Sequence, residues 1–325
     1  MCRWHRSILF GGLALLAAGT VAHAQTAPVQ LPSSTLAASV AAAQPPVPPQ
    51  QAPFARDDES PFWRFFTGGE WYFSWGYNRE FWAPTDIHVS QPALGNNFTI
   101  YDVRGHDEPG GESGLFTGDA FGAQYNIRVG RFITDNFGVE FSLDHSKYTT
   151  PTGQFANVSG TIAGKPASGI YQLGAPFFSE ELHNGANHVM INGVYRLPLI
   201  GRTNDSWSVA AIGKAGVGVM LPHTSDTILG NEADVGNKTI GNSFGLRNGW
   251  WQLNGVTTGV EGGFRVVLVA PVYVELTDKI AYSYLGDLPA YLGTISQSQF
   301  MDEVILSIGF TYDGTSSSPW HEPSH

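Results

Sequence analysis

Beyond residue 24 no run of 18 or more apolar residues occurs, yet from residue 62 onward apolar and polar side chains alternate one for one. A chain without such a run has no helix able to cross a bilayer. Strict alternation puts successive side chains on opposite faces of a strand. Trp71, Phe73, Trp75 and Tyr77 alternate with Tyr72, Ser74, Gly76 and Asn78. Tyr125, Ile127 and Val129 alternate with Gln124, Asn126 and Arg128, and Val139, Phe141 and Leu143 with Glu140, Ser142 and Asp144. The pattern returns at Val189 to Arg196, at Val256 to Val266 and at Val304 to Tyr312, and more weakly over 206–221 and 272–284. One face of each segment is apolar and ends in aromatics. The other carries charges and small residues. A fold that leaves both faces of its strands occupied in this way, with no spanning helix, is a closed barrel if it sits in a membrane.

The connections fall into two classes. Short ones lie at 131–136, 198–205 and 267–271, and long polar ones near 83–121, 149–186, 222–248 and 285–298. Short turns on one side and long loops on the other are the pattern of transmembrane barrels. Seven strands fit between about 122 and 312. With the N-terminal leader on the short-turn side the total is even, so 70–82 makes eight. Phe98–Val103 is then an extension or small hairpin within the first outer loop. The expected fold is all-β: a closed antiparallel eight-stranded transmembrane barrel with long extracellular loops.

At 14% charged residues the chain lies well below the ~25% of an ordinary soluble domain. Aromatics at 13% exclude disorder along the whole chain. A net charge of −11 is not that of a cationic nucleic-acid binder. Residues 1–24 read as a signal peptide: Arg3 and Arg6 precede the apolar run Ile8–Ala18, and Ala22-His23-Ala24 predicts cleavage before Gln25. The single cysteine, Cys2, leaves with it, which excludes disulfides and thiol ligands from the mature chain. Residues 25–61, rich in Pro, Ala and Gln, read as a disordered periplasmic leader. The barrel domain is assigned to 62–312 and a polar tail to 313–325.

The turn Gly130–Phe137 and the closing Ile308-Gly309-Phe310-Thr311-Tyr312, together with the signal peptide, resemble small outer-membrane β-barrel proteins of Gram-negative bacteria, the eight-stranded OmpA- and OmpW-like class. The resemblance covers about residues 69–312. It departs from that class in placing a polar tail after Tyr312, where an aromatic usually ends the chain. Trp75-Gly76-Tyr77-Asn78-Arg79, Thr85–His88, Asp144–Tyr148 and Glu181–Gly185 also resemble a group of bacterial barrel proteins that supplies no activity to transfer. The resemblance implies location in the cell outer membrane. It also implies contact with outer-membrane lipid and lipopolysaccharide, and insertion by the barrel-assembly machinery.

Eight strands enclose an interior only wide enough for side chains. The inward set holds Arg128, Glu140, Asp144, Lys214, Glu261, Arg265, Glu275 and Glu303, whose mixed signs predict an internal ion-pair network and a plugged lumen. Trp71, Trp75, Tyr77, Tyr195, Trp207, Phe310 and Tyr312 are the expected aromatic girdles. Polar candidates at the strand tops and in the outer loops are Asp86, His88, Asp102, His106, Asp107, His145, Glu181, His183 and His188. Asp144 and His188 are placed to meet across adjacent strands, where a carboxylate favours protonated imidazole. Asp86 and His88 share a face and suit a divalent cation in the outer loops; no other cofactor is implied. His145 and Ser146 are neighbours on a strand and so face opposite ways, a poor geometry for a nucleophile and its base. The functions open to such a chain are a structural or surface-interaction role through its outer loops, lipid modification by an acyl hydrolase or acyltransferase, or a narrow pore for small solutes.

Overall fold

The structure is a computed structural model that describes residues 69–107, 124–182, 185–201, 207–234, 244–245 and 249–313. The signal peptide, the leader, His183 and all of the C-terminal tail past Asp313 lie outside the described residues. No described helix is long and apolar enough to cross a membrane, which says nothing of crossing by strands.

In chain order the strands are β1 (Glu70–Trp82), β2 (Thr85–Gln91), β3 (Asn96–Val103), β4 (Tyr125–Phe132), β5 (Phe137–His145), β6 (Phe155–Ile162), β7 (Lys165–Gln172), β8 (Phe178–Glu181) and β9 (Ala186–Ile200). They continue as β10 (Ser208–Pro222), β11 (Ser225–Ile228), β12 (Asn231–Asp234), β13 (Phe244–Gly245), β14 (Trp251–Gln252), β15 (Val256–Val269), β16 (Val272–Ala290) and β17 (Gly293–Asp313). Eight of them form an antiparallel ring in the order β1, β4, β5, β9, β10, β15, β16, β17, closed by β17 on β1. This is the fold expected from the alternation.

The closure is staggered. Following paired residues from Tyr72 through Gly130, Glu140, Asn192, Gly216, Gly259, Ala281 and Met301 leads back to β1 at Trp82, ten residues above the start. Such a stagger over eight strands corresponds to a strand tilt of about 40°. A tilted strand of about 10 residues then crosses the ~25 Å apolar band of a membrane barrel.

At the short-turn end, two inward aromatics lie over glycines. Tyr72 covers Gly130 on β4, and Tyr273 covers Gly309 on β17; each pair is directly opposite in register. A Cβ at Gly130 would fall within the Tyr72 ring, and one at Gly309 would meet the Tyr273 ring and the Phe73 carbonyl. Gly213, by contrast, has open space where its Cβ would go. Gly309→Ala is therefore expected to cost about 1–3 kcal/mol, as overpacking does, while Gly213→Ala is close to neutral. Urea unfolding of vesicle-inserted protein, followed by tryptophan fluorescence, measures both.

The outer half departs from the sequence expectation: the expected long polar loops at 149–186 and 222–248 carry strands β6, β7, β8, β11 and β12, which stack on one another instead of standing free. The segment 285–298 is not a long polar loop. Strands β16 and β17 run on through it as a hairpin that turns only at Tyr291–Leu292, with a register shift between Leu285 and Leu288. Leu285, Leu288 and Ile295 explain this, because all three are buried in a hydrophobic cluster above the ring. The upper end of β17 (Thr294–Gln297) then pairs with β2, and the sheet continues through β3, β6 and β7. Phe98–Val103 accordingly belongs to a hairpin in the first outer loop. A second, three-stranded sheet, β12–β11–β8, completes this outer extension. Its shared core includes Ile87, Val89, Phe98, Ile100, Tyr148, Val158, Phe178, Leu182, Met220 and Ile228. The outer connections thus form a folded unit with its own apolar interior.

Candidate functional site

The lumen is assembled by the parity of the strands. Arg128 and Asn126 on β4, Glu140 and Asp144 on β5, Lys214 on β10, Glu261 and Arg265 on β15, Glu275 and Lys279 on β16, and Glu303 on β17 all point inward and are buried. At the short-turn end Arg265 lies over the rings of Tyr273 and Tyr72, at 4.1 and 4.6 Å, and bonds Glu275 at 2.7 Å. In the middle layer Lys214 Nζ reaches Glu275, Glu261 and Glu140 at 2.8, 2.9 and 3.2 Å. Arg128 meets Asp144, Glu140 and Glu261, crossing from β4 to the facing wall. Higher up, Lys279 bonds Asp144 at 2.5 Å and Glu303 at 3.2 Å. Neutral groups complete the shell. Tyr72 donates to Glu140 at 2.9 Å, Thr277 to Glu261 at 2.8 Å, and Asn192 to Glu140 at 3.2 Å.

All eight residues of the expected ion network lie in this layered stack. Two further charges belong to it. Lys279 shares the parity of Glu275 and Thr277, and Glu80 that of Ser74 and Asn78. Asn78 donates to both Glu80, at 2.5 Å, and Glu303, at 2.7 Å. Arg128–Glu261 and Lys279–Asp144 reach across to the facing wall, while Lys214 links β10 to β5, β15 and β16. The cavity lined by Met190, Asn192, Lys214, Glu261 and Lys279 has a volume of about 10 Å³, room for one water at most.

The expected Asp144–His188 pair is corrected by the structure. The two residues are directly opposite in register, but the Asp144 oxygens are taken by Arg128 and Lys279. His188 Nδ1 instead lies 2.8 Å from Thr257 Oγ1. Two cations outcompete an imidazole for one carboxylate. His145 stacks on Tyr125 and bonds Asn187 at 2.6 Å; Ser146 is fully buried and apart from it.

The outer-loop candidates do not converge on one point. Asp86 accepts the Asp102 N–H at 3.0 Å, and His88 sits against Thr99 at 3.2 Å on the same exposed face. Asp107 pairs with Arg79 at 2.7 Å, His106 bonds the Asp107 carbonyl at 2.8 Å, and Thr149 bridges His106 to Glu181. Among the described residues no three His, Cys, Asp or Glu side chains are grouped so as to hold a metal ion. What the outer face does present is an open cleft of about 540 Å³, lined by Pro84, Tyr101, Asp102, Arg104, Gln154, Phe155, Ala156 and Asn157. The Gln154 amide fixes its floor, accepting the Arg104 N–H at 3.1 Å and donating to the Arg104 carbonyl at 2.9 Å. The fold of the hairpins, rather than any motif, makes this cleft.

Around the ring the outward side chains are apolar. At the short-turn end Trp71 opposes Tyr312 and Phe73 lies 5.5 Å from Phe310, with Tyr195 and Trp207 exposed at the same end of their strands. Trp75 and Tyr77 pack edge to face at 4.8 Å further up β1. The upper aromatics on β1, β16 and β17, namely Phe81, Tyr282, Tyr284 and Phe300, are not among the expected girdle residues. They lie in segments where the alternation is weaker or interrupted by charge. Asp278 and Asp302 also face outward there, as neighbours on β16 and β17.

No protein-family model matches the sequence, and no curated protein matches it. Solved structures do. Ail, the attachment invasion locus protein of Yersinia pestis, solved in complex with the heparin analogue sucrose octasulfate, is 11% identical, with 75% of this chain and 99% of that chain covered and a TM-score of 0.29. The outer membrane protein OprG from Pseudomonas aeruginosa is 12% identical over 76% of this chain and 97% of its own, with a TM-score of 0.35. The outer membrane protease OmpT from Escherichia coli is 8% identical over 75% and 96%, with a TM-score of 0.27. The ring of eight strands rests on its own pairings, independently of these likenesses.

Proposed function

We propose that this chain is an outer-membrane barrel that acts at the cell surface through its folded outer extension and does not transport. The observation that carries this reading is the lumen, where Arg128 and Lys279 reach carboxylates on the facing wall and Lys214 joins β10 to β5 and β16. The apolar outer wall supports insertion in a bilayer, since a soluble protein rarely exposes so continuous an apolar belt. Outer-membrane lipid would cover that belt, with the barrel-assembly machinery inserting it. The outer extension, with its own core, offers the ~540 Å³ cleft. Tyr101 and Phe155 give it exposed rings on which a sugar or a peptide can stack, and Arg104 a cation for an anionic group. A surface polysaccharide or the sugar region of lipopolysaccharide has this chemistry.

The experiment is single-molecule conductance of the full chain in planar bilayers. No steady conductance is expected at neutral pH. A stable open current would transfer the function to the lumen and sink this reading. A second arm measures binding of lipopolysaccharide to vesicle-inserted protein, which Phe155→Ala and Arg104→Glu are expected to weaken while leaving the folded gel mobility unchanged.

A further inference from the structure

Above the lumen, two carboxylates lie side by side, and among the described residues neither is paired with a Lys or Arg. Glu180 on β8 and Asp226 on β11 are directly opposite in register, which places their Cβ atoms about 5 Å apart. Both are on the buried face of the three-stranded sheet, beside the core residues Phe178 and Ile228; Glu180 is 0% exposed and Asp226 4%. Their backbones are fixed. Thr150 bonds Glu180 on both sides, through its N–H to the Glu180 carbonyl at 3.0 Å and through its hydroxyl to the Glu180 N–H at 2.9 Å.

The side-chain oxygens are not satisfied. Glu180 Oε2 and both Asp226 carboxylate oxygens have no hydrogen-bond partner among the described residues. Gln297, reaching down from β17, donates its amide to Glu180 Oε1 at 2.8 Å, and its own Oε1 is likewise unpartnered and buried. The hydroxyl of fully buried Tyr148, which lies in the electrostatic reach of Glu180, also has no partner. Two carboxylates, the Gln297 amide and the Tyr148 hydroxyl therefore share one buried region of the outer extension. Unpaired buried carboxylates are costly, and a native fold keeps them where something neutralises them.

We propose that Glu180 and Asp226, with the Gln297 amide oxygen and the Tyr148 hydroxyl, form a binding site for a hard divalent cation of the calcium class. Oxygen-only donors are what such a cation takes, and two carboxylates balance its charge. The site joins β8, β11, β17 and the 146–150 segment, so a bound cation ties the outer extension to the barrel wall.

Burial and the neighbouring Asp226 push the Glu180 carboxyl up to about 8, and burial pushes Asp226 up to about 7, which is the cost of leaving the pair without a countercharge.

The test uses the full chain folded in detergent micelles and stripped with chelator. Terbium is added as a luminescent calcium substitute and excited through the aromatics, since Tyr148 and Trp82 stand 5.4 Å apart at the site. One saturable terbium site per chain, displaced by calcium, is the expected result at pH 8. Saturating calcium is expected to raise the melting temperature of the stripped protein. Glu180→Gln and Asp226→Asn, nearly isosteric and neutral, should each abolish the luminescence and the calcium-dependent rise. Should either variant fail to fold, the wild-type stoichiometry and calcium competition still decide the matter. Absence of any terbium or calcium response at pH 8 overturns the proposal and leaves a carboxylate pair that shares protons. Binding that survives both substitutions overturns it equally.

Discussion

Replacing Lys214 by methionine is expected to destabilise the folded barrel by about 3–5 kcal/mol, the loss seen when one partner of a buried ion pair is removed. Three carboxylates, Glu140, Glu261 and Glu275, lie within 3.2 Å of the Lys214 ammonium. Methionine fills similar volume but leaves them with one cation fewer. Glu275 keeps Arg265, whereas Glu140 and Glu261 keep only the longer contacts to Arg128, at 3.5 and 3.7 Å. The consequence is specific to charge balance rather than to shape. Lys214→Met combined with Glu261→Gln should recover most of the loss, because the second change removes the orphaned anion. Urea midpoints in lipid vesicles measure both variants against wild type. A single substitution as stable as wild type would show that the layered pairs do not hold the barrel together.

The second large effect concerns the outer wall. Leu306→Arg is expected to cost about 2–4 kcal/mol of folding free energy in a bilayer, and Tyr312→Arg only about 0–1 kcal/mol. Both residues face outward on β17 and both are more than half exposed, at 56% and 66%. They differ in depth. With strands tilted by about 40°, their separation of six positions places Leu306 roughly 15 Å further in, near the middle of the apolar band. Tyr312 stands at the interface, where an arginine reaches water. Equal costs for the two substitutions would show that this wall is not covered by lipid.

The barrel was legible in the sequence because each wall strand repeats one rule, and a side chain's parity alone decides whether it faces lipid or lumen. Arg128, Glu140, Lys214 and Glu261 could be placed inside on that basis without knowing the register. Some partners are neighbours in register, as Lys214 is of Glu261 and Arg265 of Glu275. The pairs that cross the lumen depend on the ten-residue stagger: register alone points Asp144 at His188, whereas Lys279 reaches it from β16 on the facing wall. The outer extension was harder to read for a different reason. Segments such as 155–172 and 285–298 alternate poorly, since their apolar residues are few and their burial comes from packing on β2, β3 and the upper end of β17. Glu180 and Asp226 lie in short strands with no periodic signal, and only the fold brings them together. The cleft beside Arg104 is likewise a product of how hairpins stack, and no spacing of residues announces it.

The pairing of β2 with the upper end of β17 has a consequence for the order in which the molecule assembles. Ser90 and Thr294 are partners, yet about 200 residues separate them along the chain. Contacts so distant in sequence form late, because the intervening loop must first be closed. Strands β2, β3, β6 and β7 come early in the chain and pair with one another, but they join the sheet of the barrel wall only through β17, the last of the described strands. The part of the protein encoded nearest the start of the barrel is therefore finished at its end, and the final strand serves both as the seam of the ring and as the template on which the outer surface is laid down.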